Sequence, residues 1–511
     1  MNTHAGRTTS VWMATATVPR FPGLAENANV DVCVVGAGIA GLTTAYFLAR
    51  AGRTVAVLDD GPILSGETER TTAHLANVLD DRFTELERLH GRDGARLAAE
   101  SHGVAIDTIE RLVNELRIDC DFARTEGYLF NGPLAQPDLL ERELAAAQRA
   151  GLTAATWVER APLPSFNTGR ALRFPRQAQF HPLKYLAALA GAVVRAGGRI
   201  FSGTHAAEIR GGRTAQVRTD AGWIVRCGAA VVATNTPVND RLVIHTKQAA
   251  YRTYVIGAAV PAGAVPTALY WDTEEPYHYV RTQPAADDRA VLIVGGEDHK
   301  TGQADDAEAR YARLEAWMRQ RFPEAGEIRF RWSGQVLEPV DGLAFIGRNP
   351  LDAENVYIAT GDSGHGMTHG TIAGLLLTDL IVGRQNPWTE LYDPARVSPG
   401  AVKNYAVENA NTAAQYVDWL TAGEAEKADL LPPGTGAVVR HGFTKVAVYR
   451  DTDGAFHECS AVCPHLGGIV RWNPAERTWD CPAHGSRFGC RGDVLNGPAN
   501  RGLAPMPVPV A

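Results

Sequence analysis

Near the end of the chain, Cys463-Pro-His465 and Cys481-Pro-Ala-His484 each pair one thiol with one imidazole, with fifteen residues between the two segments. Two thiolates and two neutral imidazoles make a metal-binding set. In a [2Fe–2S] cluster the thiolates suit the inner iron. The imidazoles on the other iron remove negative charge and raise the potential above that of a four-cysteine cluster. The same donors also bind zinc. Zinc fingers, however, put both cysteines in one knuckle, whereas each knuckle here holds one Cys and one His. Cys459 and Cys490 lie nearby and read as plain buried thiols. The remaining three of the seven cysteines, Cys33, Cys120 and Cys227, are scattered. An odd count with one cluster is not a secreted disulfide framework.

A second constellation opens the chain. Gly36-Ala37-Gly38-Ile39-Ala40-Gly41 separates an apolar run, DVCVV, from a segment with helical spacing, and TVAVLDD follows. Gly36 permits the tight turn, Gly38 lets backbone approach a pyrophosphate, and Gly41 lets helix and strand pack closely. The helix start offers free N–H groups and a positive dipole end to phosphates. Asp59, with Asp60 beside it, ends the second strand where a carboxylate can hold ribose hydroxyls. The motif by itself does not separate FAD from NAD.

This pattern resembles the D-amino acid oxidase/glycine oxidase (DAO) family of flavoproteins over roughly residues 30–395. Further segments extend the resemblance. The run Gly66 to Leu75, with Thr68, Arg70, Thr71, Thr72, Ala73 and His74, is similar to the family's loop over the pyrophosphate and flavin. Ala233-Thr234-Asn235 is similar to its ATG-type turn. A segment with Trp332, Asp341 and Gly347 precedes the closing segment, in which the resemblance puts Gly361, Asp362, Gly364, Gly366, Met367 and Thr368 at the ribityl chain and pyrimidine edge. It implies bound FAD and an α/β Rossmann-like FAD-binding domain with an interleaved α+β substrate domain, the DAO/p-hydroxybenzoate hydroxylase-like arrangement.

The Cys/His segments, with Gly467-Gly468 and Gly485-Ser486, resemble the Rieske family, which implies Cys463, His465, Cys481 and His484 as ligands of a [2Fe–2S] cluster in a small all-β domain. High-potential members carry a disulfide between the two loops. Gly468 and Ala483 stand at those positions here, so it cannot form. Ser486 keeps a hydroxyl for a bridging sulfide, while Phe488 replaces a hydrogen-bonding tyrosine. A potential below the high end of the Rieske range is expected. Rieske oxygenases need a further iron domain. Only 27 residues follow His484, so the expected electron partner is the flavin or an external donor or acceptor protein.

DAO-type enzymes move hydride from a C–N bond to flavin, and the protein orients the substrate. Tyr277, Tyr279 and Arg281 alternate onto one face of a strand, with His278 on the other, and a tyrosine with an arginine suits a carboxylate. His74 is a candidate proton acceptor, covalent flavin anchor or spectator. Glu297, Asp298 and His299 form a polar cluster that is a further candidate for substrate contact. The leading expectation is dehydrogenation of a small amine or amino-acid-like molecule, with electrons leaving singly through the cluster. The alternatives are a flavin oxygenase or desaturase fed by the cluster, and an electron carrier or redox sensor without organic substrate. An open pocket over the flavin would favour an enzyme.

These sites require particular elements around them. Expected are an N-terminal extension over 1–30 and the flavoprotein over 31–395. Its FAD-binding parts fall near 31–95, 170–245 and 335–395, and its substrate parts near 96–169 and 246–334. A helical linker over 396–430 and the Rieske domain over 431–511 follow. Helices are predicted over 94–116, 138–150 and 182–196, and strands over 255–260, 278–281 and 291–295. In the linker, Ala406, Ala410, Ala413, Val417 and Leu420 share one helical face. At 511 residues the chain exceeds one core. A net charge of −7 argues against nucleic acid as a partner. No apolar run is long enough for a membrane span or a secretory signal, and a cytoplasmic enzyme is the default expectation.

Overall fold

The computed structural model describes residues 5–239, 243–350, 352–425 and 428–506; residues 1–4 of the expected extension and 507–511 of the expected C-terminal domain lie outside these. The apolar run Val32–Val35 needs cover on both faces. It becomes the centre of a parallel sheet. Ala28–Val35 pairs with Ile224–Val232 and with Val55–Leu58, and Val356–Thr360 and Arg199–Phe201 extend the sheet on either side. Val32, Val34, Val55 and Val57 pack under helices, while Cys33, Val35, Ala56 and Leu58 face the hairpin Ala206–Arg210/Ala215–Thr219. Helices Ile39–Arg50 and Gly366–Val382 lie side by side. A Cβ at Gly370 would come within 2.6 Å of Ile39 and one at Gly374 within 2.4 Å of Thr43. That register puts both helix N-termini at the same end of the sheet.

A second, nine-stranded sheet runs Ile328–Pro339, Gln248–Pro261, Arg289–Lys300, His278–Ala285, Leu269–Asp272, Ala123–Phe130, Ala171–Gln179 and His74–Leu75, with Thr156–Val158 also on Ala171–Gln179. Helix Ala307–Arg321 covers one face through Tyr311, Leu314 and Met318. The other face looks toward the parallel sheet. Ala171–Gln179 and 335–339, which fall in segments expected to be FAD-binding, are strands of this second sheet. The strands outrun their apolar cores because polar residues at their ends continue the ladders. The helix expected over 94–116 begins at Phe83, with a non-helical break at Gly91.

The C-terminal part holds a three-stranded sheet, Thr435–His441, Thr444–Arg450 and Phe456–Ser460, and a four-stranded one from Arg471 to Asn496. The linker differs from expectation. It is α-helical over Val402–Ala414 and 3-10 over Gln415–Leu420. Its apolar positions face outward, Val417 at 58% and Leu420 at 80% exposure. The polar edge faces the protein instead. Glu408 pairs with Lys300 at 2.5 Å, Asn411 with Gln303, Thr412 donates to Ala483 O and Tyr416 to Leu466 O. Three of the five apolar positions are alanines, whose burial gains little, and a seam of hydrogen bonds decides the orientation. No helix among the described residues is long and apolar enough to cross a membrane.

Candidate functional site

A cavity of about 900 Å³ runs from the Gly36–Gly41 turn to the second sheet. Gly36 takes φ +101°, and a Cβ there would lie 2.3 Å from Ala233 O. Gly41 packs on Gly36 O and does not line the cavity. Gly38 does, and its Cβ direction meets only Thr68 Oγ1 at 3.0 Å. Helices Ile39–Arg50 and Gly366–Val382 both begin without a capping side chain at the N-cap residue; Ile39 N makes a long contact of 3.4 Å to Thr68 Oγ1, and two positive dipole ends face the same space. Asp59 accepts from Ala37 N at 2.7 Å and Gly61 N at 3.0 Å; burial, then Asp60, pushes its carboxyl up to about 7. Asp60 is exposed and lies 3.6 Å from His205. Ile39, Ala40, Thr68, Thr71, Thr72, Thr234, Gly361, Asp362, Gly364, Gly366 and Met367 also line the cavity. The buried Asn235 Nδ2 on its wall has no hydrogen-bond acceptor. An elongated cradle with two open helix ends and an unspent donor fits a dinucleotide such as FAD.

Some expected contacts are redirected. The Thr368 side chain turns to His102 Nδ1, 2.8 Å away, because one residue along the helix from Met367 rotates it by about 100°. Ala73 adopts φ +58° and is buried; its carbonyl accepts from Arg281. Arg70 touches the cavity wall, but its guanidinium is spent on Thr8, Ser333 O and Glu476. Arg281 is not a carboxylate binder. Its guanidinium is buried against the carbonyls of Thr72, Ala73 and Phe180 and the Gln283 side chain. It braces the loop over the flavin site from behind.

Tyr277 and Tyr279 do face the cavity, with Trp271 and His74. The Tyr279 ring lies across Gly295, where a Cβ would be 2.1 Å from it, and its hydroxyl pairs with Thr253 at 2.7 Å. Tyr277 donates to Asp80 at 2.8 Å. His74 Nδ1 meets Thr72 Oγ1 while Nε2 is buried without a partner; burial, then Arg281, lowers it to about 3. Of the 297–299 cluster only Asp298 lines the cavity. Glu297 pairs with Arg313 and His299 with Tyr254 on the far face, as alternation along a strand requires. His278 stacks on Trp317 on that same far face.

The two Cys/His loops are built alike. Cys463 N donates to Gly468 O and accepts at its carbonyl from Gly467 N; Cys481 does the same with Ser486 O and Gly485 N. The Cys463 thiol is lowered by a hydrogen bond from Cys481, against burial, and by the amides of His465 and Leu466 and the Ser486 hydroxyl. The His465 and His484 rings are 5.0 Å apart. A Cβ on Gly468 would reach Ala483 Cβ at 3.2 Å, so the two non-cysteine positions do meet across the loops. Phe488 is buried in the same apolar cluster as Cys463 and Cys481. Two thiols under amide donors and two adjacent imidazoles, one of each per loop, fit a [2Fe–2S] cluster.

Residues that the sequence did not point to join the two sites. His245, before the second sheet, packs its ring 4.8 Å from His465 and 6.2 Å from His484. Gln335 lines the cavity and donates through Nε2 to Gly485 O at 3.0 Å. Gly485 has φ +78°, and a Cβ there would strike Ala250 at 2.3 Å. Beneath lies Glu476, fully buried beside Arg70 at 3.3 Å and Arg252 at 3.8 Å. Burial pushes its carboxyl up, but Arg70, Arg252 and Arg487 outweigh that and hold it far below the usual range. A lone His, Gln or Glu carries no sequence signal for such a role.

The profile of the DAO family, FAD dependent oxidoreductase, matches residues 31–380, and that of the Rieske [2Fe-2S] domain matches 419–507. A Bacillus subtilis (strain 168) protein, named as the Rieske 2Fe-2S iron-sulfur protein YhfW, is 32% identical over 499 residues, 96% of each chain. Gamma-glutamylputrescine oxidoreductase of Escherichia coli (strain K12) is 28% identical over 379 residues, 71% of this chain and 86% of that one. The solved glycine oxidase of Geobacillus kaustophilus superposes with a TM-score of 0.60 at 19% identity, covering 73% of this chain and 100% of its own.

Proposed function

On the premise that the chain belongs to the DAO family of FAD-dependent oxidoreductases and carries a C-terminal Rieske [2Fe–2S] domain, we propose that it dehydrogenates a small amine or amino-acid-like substrate and hands the electrons on singly to an external acceptor. When bound, FAD supplies hydride acceptance and the cluster supplies one-electron transfer. The protein's part is placement. Gly36, Gly38 and the two uncapped helix ends hold the phosphates, and Asp59 and Asp60 stand at the ribose end. Tyr277, Tyr279, Trp271 and His74 wall the substrate space and keep water from it. Cys463, His465, Cys481 and His484 hold the cluster.

The observation that carries the reading is the Gln335 contact. One residue lines the flavin cavity with its backbone strand and holds, through its side chain, the residue after ligand His484. Its test is an anaerobic titration of the holoenzyme with a panel of amines and amino acids, followed by absorption and EPR together. A substrate should bleach the flavin and raise the EPR signal of the reduced cluster. Bleaching with the cluster left oxidised would refute the routing, and no bleaching by any C–N compound would refute the dehydrogenase reading.

A further inference from the structure

Acids crowd the substrate end of the cavity, and the His365 imidazole, 3.5 Å from Asp80, answers that one acid. Asp80, Asp298, Glu338 and Asp362 all line the cavity. Asp80 is held by Tyr277, Glu338 by Ser363 Oγ at 2.8 Å, and Asp362 by Leu337 N at 3.2 Å. Asp298 is different: its Oδ1 is shielded from solvent and has no hydrogen-bond partner. Burial is the main cause that pushes this carboxyl up to about 7, against a hydrogen bond from Thr253 and the charge of Arg310, as expected where desolvation dominates.

No guanidinium or ammonium among the described residues answers these acids inside the cavity. Arg281 points to backbone carbonyls behind the loop. Arg70 is committed to Glu476. Arg310, beside Asp298, donates to the carbonyls of Glu297 and Asp298 and to Asp306. Arg491 and Arg501 belong to the C-terminal segment at the dinucleotide end, with Asn500 on Ala206 and Ala207. No lysine lines the cavity. Around Asp298, beyond Thr253, stand aromatic rings: the centroids of Tyr277 and Tyr279 are 5.4 Å apart and those of His74 and Tyr279 5.7 Å.

Carboxylates framed by tyrosine rings attract ammonium groups, through ion pairing and through the ring faces. The same carboxylates repel an anionic group in a space that excludes water. We propose that this cavity selects a cationic amine that carries no α-carboxylate, with Asp298 as its ammonium anchor and Tyr277 and Tyr279 as its walls. The inference rests on the dehydrogenase reading for the site, and it narrows the substrate class from amines or amino acids to amines alone.

The test compares n-butylamine with norvaline, which is the same chain bearing an α-carboxylate, on anaerobic holoenzyme. Binding is read from the perturbation of the flavin absorption band before any bleaching, and turnover from bleaching itself. n-Butylamine should bind at least about tenfold more tightly. Asp298→Asn, which keeps the shape, should weaken it by about thirtyfold or more, the scale for removing one partner of a buried charge pair, and leave norvaline little changed. FAD content of the variant, measured alongside, confirms that it is folded. Equal or tighter binding of norvaline, or full amine affinity in the folded variant, would overturn the proposal. If norvaline bleaches the flavin and n-butylamine does not, the narrowing fails while the dehydrogenase reading stands. If n-butylamine binds through Asp298 but no amine or amino acid bleaches the flavin, the recognition stands and the dehydrogenase reading falls.

Discussion

Single side chains decide the electronic and ionic character of both sites. Ser486 lies against Cys463 and also accepts from Ala499 N, so its hydroxyl proton is free to point at sulfur. A hydrogen bond there stabilises the more negative, reduced cluster. Ser486→Ala should therefore lower the potential and Phe488→Tyr should raise it, each by roughly 60–130 mV, since 59 mV is a tenfold change for one electron and a charge-directed bond is worth about 1.5–3 kcal/mol. Direct electrochemistry on the holoenzyme checks both, and unchanged values would mean that neither side chain reaches the cluster. Asp298 sets a pH dependence. Burial raises it to about 7, Thr253 and Arg310 oppose, and Asp80 and Glu275 add to the rise. An amine cation binds its ionised form, so kcat/KM should climb as pH rises through about 7, and Asp298→Asn should lose that limb. The four Cys and His residues proposed to hold the cluster stand out in the sequence because their types and spacing are restrictive. Arg281 was misjudged because alternation assigns a residue to a face, and a long side chain on the right face can still end against backbone carbonyls.

The elements that carry the cofactor sites were also mostly legible. The strand–turn–helix at residues 31–50 announces itself through apolar runs broken by glycines, and the helix at Gly366 through the glycines before it. What periodicity could not supply was orientation across a seam. The linker's apolar stripe faces outward because hydrogen bonds that Glu408 accepts from Lys300 and that Asn411, Thr412 and Tyr416 make outweigh the burial of a few alanines. Likewise only pairing partners remote in the chain decide that Ala171–Gln179 joins the second sheet. At this scale Gly38→Val should strip FAD almost completely, since its side chain would enter the space beside Thr68 and both helix ends. Asp59→Ala should weaken FAD by about 1.5–3 kcal/mol, and it also leaves Ala37 N and Gly61 N without their acceptor. Flavin released per protein on denaturation distinguishes the two. Normal FAD content in both variants would contradict the placement of the pyrophosphate.

At the scale of the whole molecule, the Rieske domain is docked by buried charge as well as by surface fit. Glu476 sits among Arg70, Arg252 and Arg487 with Thr8 of the N-terminal segment, a set drawn from three regions of the chain. Such convergence is invisible in sequence, where each residue stands alone among polar neighbours. Glu476→Gln leaves guanidinium groups uncompensated and should cost about 3–5 kcal/mol, seen as earlier thermal unfolding and as proteolysis near the linker. Because the folded carboxyl is held low, its contribution is complete above the ordinary glutamate value near 4.3 and fades as pH falls below that. Docking should therefore loosen in acid, and no comparable loosening should occur in the Gln variant. In the proposed function, the fixed contact through Gln335 and His245 makes flavin and cluster partners within one chain. Rapid mixing of oxidised holoenzyme with a reducing substrate, without oxygen and at several protein concentrations, tests it most directly. The cluster should be reduced with a first-order rate constant independent of protein concentration. A rate that rises in proportion to protein concentration, or a cluster that stays oxidised while the flavin bleaches, would contradict it.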